Sequence, residues 1–216
     1  MSQDRSRPRL FVCPTGPFVH LPLHAAGRHG RGAIIGNCLT DFCVPSYIPT
    51  LGALQKAKQT PSSIPLAAAD MLVTAVSNPA KFKPLNHAIT EVEELVPIIP
   101  EALPVNVLSD TCSHTLHSIG TPTVEALLKA LPRTSILHLA CHGYQDPHSP
   151  LDSGFAMSNG MLTVSELMAL KLERPFIAFL SACETAKGDH AQPDQAIHLA
   201  AAMLFAGFRS VIGTMW

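Results

Sequence analysis

The sequence has little charge and no excess of either sign. Only 14% of its 216 residues are Asp, Glu, Lys or Arg, and 15 basic residues stand against 16 acidic ones, for a net charge of −1. Binding to nucleic acid or to an anionic membrane through charge requires a basic patch, so the composition gives no support for either partner. Hydrophobic residues make up 47% of the chain, which is enough for a large buried core.

Signals for secretion and membrane insertion are also missing. The N-terminus, MSQDRSRPRL, has no long apolar segment and no small-residue cleavage pattern, so it is not a signal peptide. The apolar stretch AIHLAAAMLFAGF is too short to span a membrane and is typical of a buried helix. The six cysteines include no C-x-x-C pair, and without secretion they are expected to be reduced thiols. The sequence therefore predicts a soluble, cytoplasmic protein.

Motifs for phosphate or metal binding are weak. The Gly-rich segment 27–32 matches neither G-x-G-x-x-G nor G-x-x-x-x-G-K-[ST], which disfavours a nucleotide-binding domain. Cys112, His114 and His117 form C-x-H-x-x-H, but no fourth ligand is near in sequence, so a polar loop is favoured over a metal site. We therefore expect neither a cofactor nor a metal.

Strand-like and helix-like segments alternate along the chain. Strands are predicted at 9–13, 71–76, 104–108, 135–141, 176–181 and 209–214, and helices at 21–27, 51–59, from Thr90, from Thr121, from Thr163 and from Pro193 to Gly207. Such alternation is typical of an α/β domain with a mainly parallel sheet. SILHLAC and FIAFLS are nearly continuous apolar runs, as expected for strands that are covered on both faces.

Three helix starts have specific sequence signals. Thr90 and Glu93 have the spacing of a capping box, and so do Thr163 and Glu166. Thr121 is followed by proline, a residue favoured at the first position of a helix.

Two of the predicted core strands end on a reactive residue. His142 follows SILHLAC, and Cys183 follows FIAFLSA. In an open parallel sheet, ligands bind at the carboxyl ends of the strands, so both residues are candidates for one site. A neutral histidine can accept the proton of a thiol, and the thiolate is then the nucleophile. The backbone N–H groups of Gly143 and Cys183 are candidate oxyanion donors, and the set suits acyl transfer on a peptide or related bond.

Ordered motifs over residues 9–216 resemble the CHAT domain, a caspase-like, separase-related cysteine peptidase domain that is often joined to tetratricopeptide repeats. The motifs are HLACHG, DPHSPLDSG, MLTVSEL, LSACET and AAMLFAGFRSVIGTMW, and in the N-terminal half CPTGPFVHLPLHAAG and VPSYIPTLGAL, which are similar to fungal-type members. The resemblance implies a caspase/haemoglobinase-like three-layer α/β fold with helices flanking the sheet. It also implies a His142–Cys183 dyad that cleaves protein or peptide substrates.

The resemblance also bears on domain organisation. We expect a single domain over 9–216, with TPSSIP at 60–65 as a weak candidate for a sub-domain break. The family pattern usually continues beyond the Trp216 position with an acidic motif, a helix and more sheet. The sequence therefore predicts that the C-terminal end of the domain is missing.

A second functional class stays open beside the peptidase. An inactive or incomplete CHAT module could instead bind a repeat domain or a regulatory protein. Cys183 alone could be a buried small hydrophobe, and His142 alone a loop histidine. We interpret Cys141 as core and His138 as a packing or supporting residue, because strand alternation puts His138 on the same face as His142. Asp146, Asp152 and Glu184 are interpreted as structural or solvated residues.

Overall fold

The computed structural model describes residues 7–31, 34–111, 118–146, 148–182 and 199–213. The strands are β1 (Arg9–Val12), β2 (Val44–Tyr47), β3 (Met71–Ala75), β4 (Val105–Ser109), β5 (Ile136–Ala140), β6 (His142–Tyr144), β7 (Gly154–Ala156), β8 (Met161–Thr163), β9 (Ile177–Ser181) and β10 (Ser210–Gly213). The α-helices are α1 (Leu39–Phe42), α2 (Leu51–Gln59), α3 (Asn86–Leu95), α4 (Val124–Ala130), α5 (Val164–Ala169) and α6 (Leu199–Ala206). Within these ranges, no helix is long and apolar enough to cross a bilayer.

The chain divides after Leu54 into two compact units. In the N-terminal unit, β1 and β2 pair in parallel, and α1 lies immediately before β2. The predicted helix at 21–27 is only a short 3-10 turn, Leu23–Ala25. Pro22 immediately precedes this turn, and the segment ends in an extended bridge between Gly27 and Cys38, so the α-helix does not develop.

The larger unit contains a five-stranded sheet in the order β10-β9-β5-β3-β4, with every neighbouring pair parallel. This confirms the predicted α/β class with a mainly parallel sheet. A second sheet, β6-β7-β8, is antiparallel and begins directly after β5. The site histidine, His142, is the first residue of that second sheet.

Helices cover both faces of the parallel sheet. On one face, a cluster of buried side chains joins Leu137 and Leu139 of β5 to α4, α5 and α6. On the other face, Ala140 of β5 and Val73 of β3 pack against Ala88 and Val92 of α3. The alternation along β5 thus separates two apolar layers, as expected for a strand that is buried on both sides.

Two predicted helix starts are wrong. Helix α3 begins at Asn86, one turn before Thr90, because Ala88 must already be helical to pack beside Val92 against the sheet. Helix α4 begins at Val124, and its N-cap is Thr123 rather than Thr121. The Thr123 side chain accepts a hydrogen bond from Ala126 N at 3.2 Å, which satisfies a free N–H at the helix start.

The capping box at Thr163 is confirmed. Thr163 accepts from Glu166 N at 3.2 Å, and the Glu166 carboxylate accepts from Thr163 N at 2.8 Å. The predicted end of the last helix is confirmed too, since Gly207 has φ +125° and its N–H donates to Met203 O. The predicted start of that helix at Pro193 lies outside the described residues.

Candidate active site

His142 lies where β5 passes into β6, at the carboxyl edge of the parallel sheet. The alignment of β5 with its neighbours continues to this point, because Cys141 N donates to Ser181 O at 3.3 Å. On the other side of β5, Val76 N donates to Ala140 O at 2.9 Å. The strand therefore stays paired with β9 up to Cys141 and with the segment after β3 up to Ala140, one and two residues before the histidine. The position of His142 at the strand end agrees with the sequence prediction.

The ring of His142 is held by the segment that precedes α3. Its Nε2 lies 2.9 Å from the carbonyl oxygen of Lys83, and the ring stacks on Phe82 with centroids 5.5 Å apart and planes at 26°. A carbonyl can only accept, so Nε2 carries the proton in this contact. In the neutral ring, Nδ1 is therefore the basic nitrogen.

Phe82 and Lys83 were not identified from the sequence. Lys83 acts through its backbone carbonyl, which every residue type has, so no side-chain pattern could have indicated it. The proximity of this segment to His142 depends on how the chain enters α3 after β3. Only the fold determines that proximity.

Cys183, the predicted nucleophile, lies outside the described residues, and so does Glu184. The last described residues before Cys183 are Ser181, at the end of β9, and the buried Ala182. Gly143 lies in β6, opposite Phe155 of β7. Gly143 is half-buried, and it directly follows the histidine.

Cys141, next to His142, is 2% exposed and belongs to the apolar layer beneath α4, α5 and α6. Burial raises the pKa of the Cys141 thiol far above its usual range. Cys141 thus stays a neutral thiol and packs as a small apolar residue, in agreement with its interpretation as core.

His138 lies on the α3 face of β5 and is 6% exposed. Its ring stacks on Phe179 of β9, with centroids 5.1 Å apart and planes at 13°. Its Nε2 lies 3.0 Å from Glu91 Oε1 but makes no hydrogen bond with it. Burial lowers the pKa of His138, and the nearby Glu91 carboxylate opposes that shift. Burial has the larger effect, so the pKa of His138 lies below its ordinary value and the ring is mainly neutral at pH 7.

Glu91 of α3 was not identified from the sequence either. Its Oε2 accepts a hydrogen bond from Ser181 Oγ at 2.7 Å, so one carboxylate of α3 contacts both β5 and β9. Helical spacing was the available signal, because Glu91 is three residues after Ala88 and lies toward the buried side of the helix.

The loop after β6 contains hydrogen bonds between residues close in sequence. The Asp146 carboxylate accepts from the backbone N–H groups of His148 and Ser149 at 2.8 and 2.9 Å. These hydrogen bonds lower the pKa of Asp146. Asp152 is exposed at the end of a 3-10 turn. Both aspartates thus have the local or solvated surroundings expected of structural residues.

The described residues contain no group of three His, Cys, Asp or Glu side chains that could hold a metal ion. Cys112, His114 and His117, considered above as a weak metal motif, lie outside the described residues.

The fold and the site define a three-layer α/β protein with a histidine of fixed ring orientation at the carboxyl edge of its parallel sheet. A model of the CHAT domain family matches residues 1–216, and the chain belongs to this family. CHAT domains are a family of caspase-like cysteine peptidases. Among curated proteins, none matches the chain significantly.

Proposed function

We propose that this protein is a cysteine endopeptidase in which His142 is the general base and Cys183 the nucleophile. The observation that carries the proposal is the contact of His142 Nε2 with Lys83 O, because it leaves Nδ1 as the nitrogen that can take a proton. Membership of the CHAT family supports the same reaction class.

The pairing of β5 with β9 supports the choice of Cys183. The two strands keep one offset along their length, from Ile136 with Ile177 to Ala140 with Ser181. His142 and Cys183 are separated in sequence by the same offset. Cys183 follows Ser181 by two residues, as His142 follows Ala140, so the strand register favours Cys183 as the partner of His142.

The proposed reaction has two steps. His142 Nδ1 takes the proton from Cys183 Sγ, and the thiolate attacks the carbonyl carbon of a peptide bond. The N–H groups of Gly143 and Cys183 stabilise the oxyanion, and the C–N bond then breaks as His142 returns the proton to the amine. Water attacks the resulting thioester with His142 again as base, which releases the acid and regenerates the thiol.

The substrate class that follows is a protein or peptide chain. The cytoplasmic location and the similarity to fungal-type members that the sequence suggested stay predictions.

A peptide-library cleavage assay tests the proposal. The wild-type protein should cleave a subset of peptides, Cys183→Ala should abolish cleavage, and His142→Ala should lower kcat by about 10²–10⁴-fold. Brief incubation with the ester of a peptide that the protein cleaves, followed by acid quenching, should trap an acyl group on Cys183. An assay in which no peptide is cleaved by folded wild-type protein would contradict the peptidase and favour the alternative, a CHAT module that binds a repeat domain or a regulatory protein.

A further inference from the structure

One carboxylate joins three elements next to the proposed nucleophile. Glu91 of α3 accepts a hydrogen bond from Ser181 Oγ of β9 at 2.7 Å, and its other oxygen lies 3.0 Å from His138 Nε2 of β5. We call these two contacts the Glu91 bridge. It crosses from the helix to two neighbouring strands of the parallel sheet.

The Ser181 contact is a well-formed hydrogen bond. A carboxylate oxygen only accepts, so the Ser181 hydroxyl proton must point at Glu91. The distance of 2.7 Å between Ser181 Oγ and Glu91 Oε2 is among the commonest for an O–H···O hydrogen bond. The hydroxyl thereby fixes the last residue of β9 against α3.

His138 is a buried polar residue beside the apolar contact of α3 with the sheet, whereas Glu91 is partly exposed. The other described contacts of α3 with this face of the sheet are between residues such as Ala88, Val92 and Val73. His138 is 6% exposed, and its ring is covered by Phe179. A buried polar atom without a hydrogen bond costs free energy, and His138 Nε2 makes none among the described residues, so His138 does not itself stabilise the bridge.

The residues of the Glu91 bridge are close in sequence to the proposed catalytic pair, His142 and Cys183. Strand alternation puts His138, Ala140 and His142 on the same side of β5, the side that faces α3. Ser181 pairs with Ala140, two residues before the histidine on one strand and two before Cys183 on the other. A shift of Ser181 is therefore transmitted to the backbone that leads directly into Cys183.

We infer that Glu91 is a positioning residue, which acts through Ser181 to set where β9 ends and hence where the Cys183 thiol stands relative to His142. This inference rests on the proposed function, because it concerns the same pair. His138 lies beside the carboxylate without a hydrogen bond to it, so the Ser181 contact carries the positioning role.

The main test measures the alkylation rate of Cys183 by iodoacetamide, resolved by peptide mass mapping, with the exposed Cys13 thiol as internal reference. Glu91→Ala and Ser181→Ala should each lower the alkylation rate of Cys183 by about tenfold relative to that of Cys13. The reason is that a small displacement of a reacting group lowers its reaction rate strongly. The double variant should be no slower than the slower single variant, because the two residues act as one unit.

Two further variants separate positioning from general destabilisation. Glu91→Gln should restore most of the rate, because its amide oxygen still accepts from Ser181. Glu94→Ala is the matched control, since Glu94 lies on the same helix and is exposed. The alkylation rate of Cys183 in Glu94→Ala should equal that in the wild type. Additive effects of Glu91→Ala and Ser181→Ala, or no rescue by Glu91→Gln, would overturn the inference.

Amide hydrogen exchange gives a readout that does not depend on the chemistry. Exchange in a peptide covering 176–182 should speed up in Ser181→Ala and Glu91→Ala but not in Glu94→Ala. Unchanged exchange in Ser181→Ala would overturn the inference even if Glu91→Ala fails to fold. A wild-type Cys183 that reacts no faster than Cys13 overturns the proposed dyad together with the positioning role. Fast wild-type labelling that Ser181→Ala leaves unchanged overturns the positioning role alone.

Discussion

At the scale of single residues, Gly154 at the start of β7 has the least room for a side chain among the described glycines. A Cβ atom built there would lie 2.1 Å from the carbonyl oxygen of Leu162 on the paired strand β8. Backbone atoms cannot move aside as a flexible side chain can. Gly160, at the turn between the same two strands, has the opposite surroundings, because its nearest neighbour is a Val124 methyl at 3.9 Å.

We therefore predict that Gly154→Ala lowers the free energy of unfolding by about 1–3 kcal/mol or more, because overpacking usually costs this much. Gly160→Ala should change it by less than about 0.5 kcal/mol. Urea denaturation of both variants checks the pair. Equal effects of the two substitutions would mean that β7 and β8 do not approach as closely as described.

His138 predicts a pH dependence of stability. Burial lowers its pKa in the folded state below the ordinary value of 6.5, so the unfolded chain binds the proton more readily. The free energy of unfolding should therefore fall as the pH drops below about 6.5, until the folded-state pKa is passed. Above that window, the contribution of the neutral ring is fully present.

The measurement is the free energy of unfolding at pH 7.5, 6.5 and 5.5, for the wild type and His138→Gln. The variant has no titrating ring at this position, so its free energy should fall less between pH 6.5 and 5.5. Parallel curves for the two proteins would contradict the pKa direction assigned to His138.

At the scale of elements, the sequence predicted most strands within one or two residues but misplaced two helix starts. A run such as FIAFLS was recognisable as a strand because it is short, follows Pro175 and contains two phenylalanines and an isoleucine. The pattern Thr-x-x-Glu occurs at Thr90 and at Thr163, yet only Thr163 is an N-cap. The difference is tertiary, since the apolar residues before Thr90 pack on the sheet and extend α3 backward by a turn.

The N-cap of α4 gives a direct test of this distinction. Thr123→Ala should lower the free energy of unfolding by about 1 kcal/mol, because Ala126 N loses its side-chain acceptor. Thr121→Ala, two residues earlier, is the control and should have a smaller effect. Thermal unfolding of the two variants under identical conditions checks this, and a larger effect at Thr121 would restore the helix start that the sequence suggested.

At the scale of the whole molecule, the sequence indicated a parallel sheet but not the order of its strands. The order β10-β9-β5-β3-β4 depends on which strands pair, and apolar runs of similar composition do not encode that choice. The same limit applies to the site. His142 could be found because it ends a strand, whereas Glu91 resembles its neighbours Glu93 and Glu94 until the register of α3 against the sheet is known.

The proposed function requires that His142 and Cys183 act together as an acid–base and nucleophile pair. The family match and the strand register both support this pair. Reactivity requires that the base assist removal of the thiol proton.

The most direct measurement is the rate of Cys183 alkylation by iodoacetamide near neutral pH, in the wild type and in His142→Ala. We predict that Cys183 reacts faster than the exposed Cys13, and that loss of His142 slows it by at least about tenfold while Cys13 is unchanged. Equal alkylation rates at Cys183 and Cys13 in folded wild-type protein, or a Cys183 rate that does not change in His142→Ala, would contradict the proposed dyad.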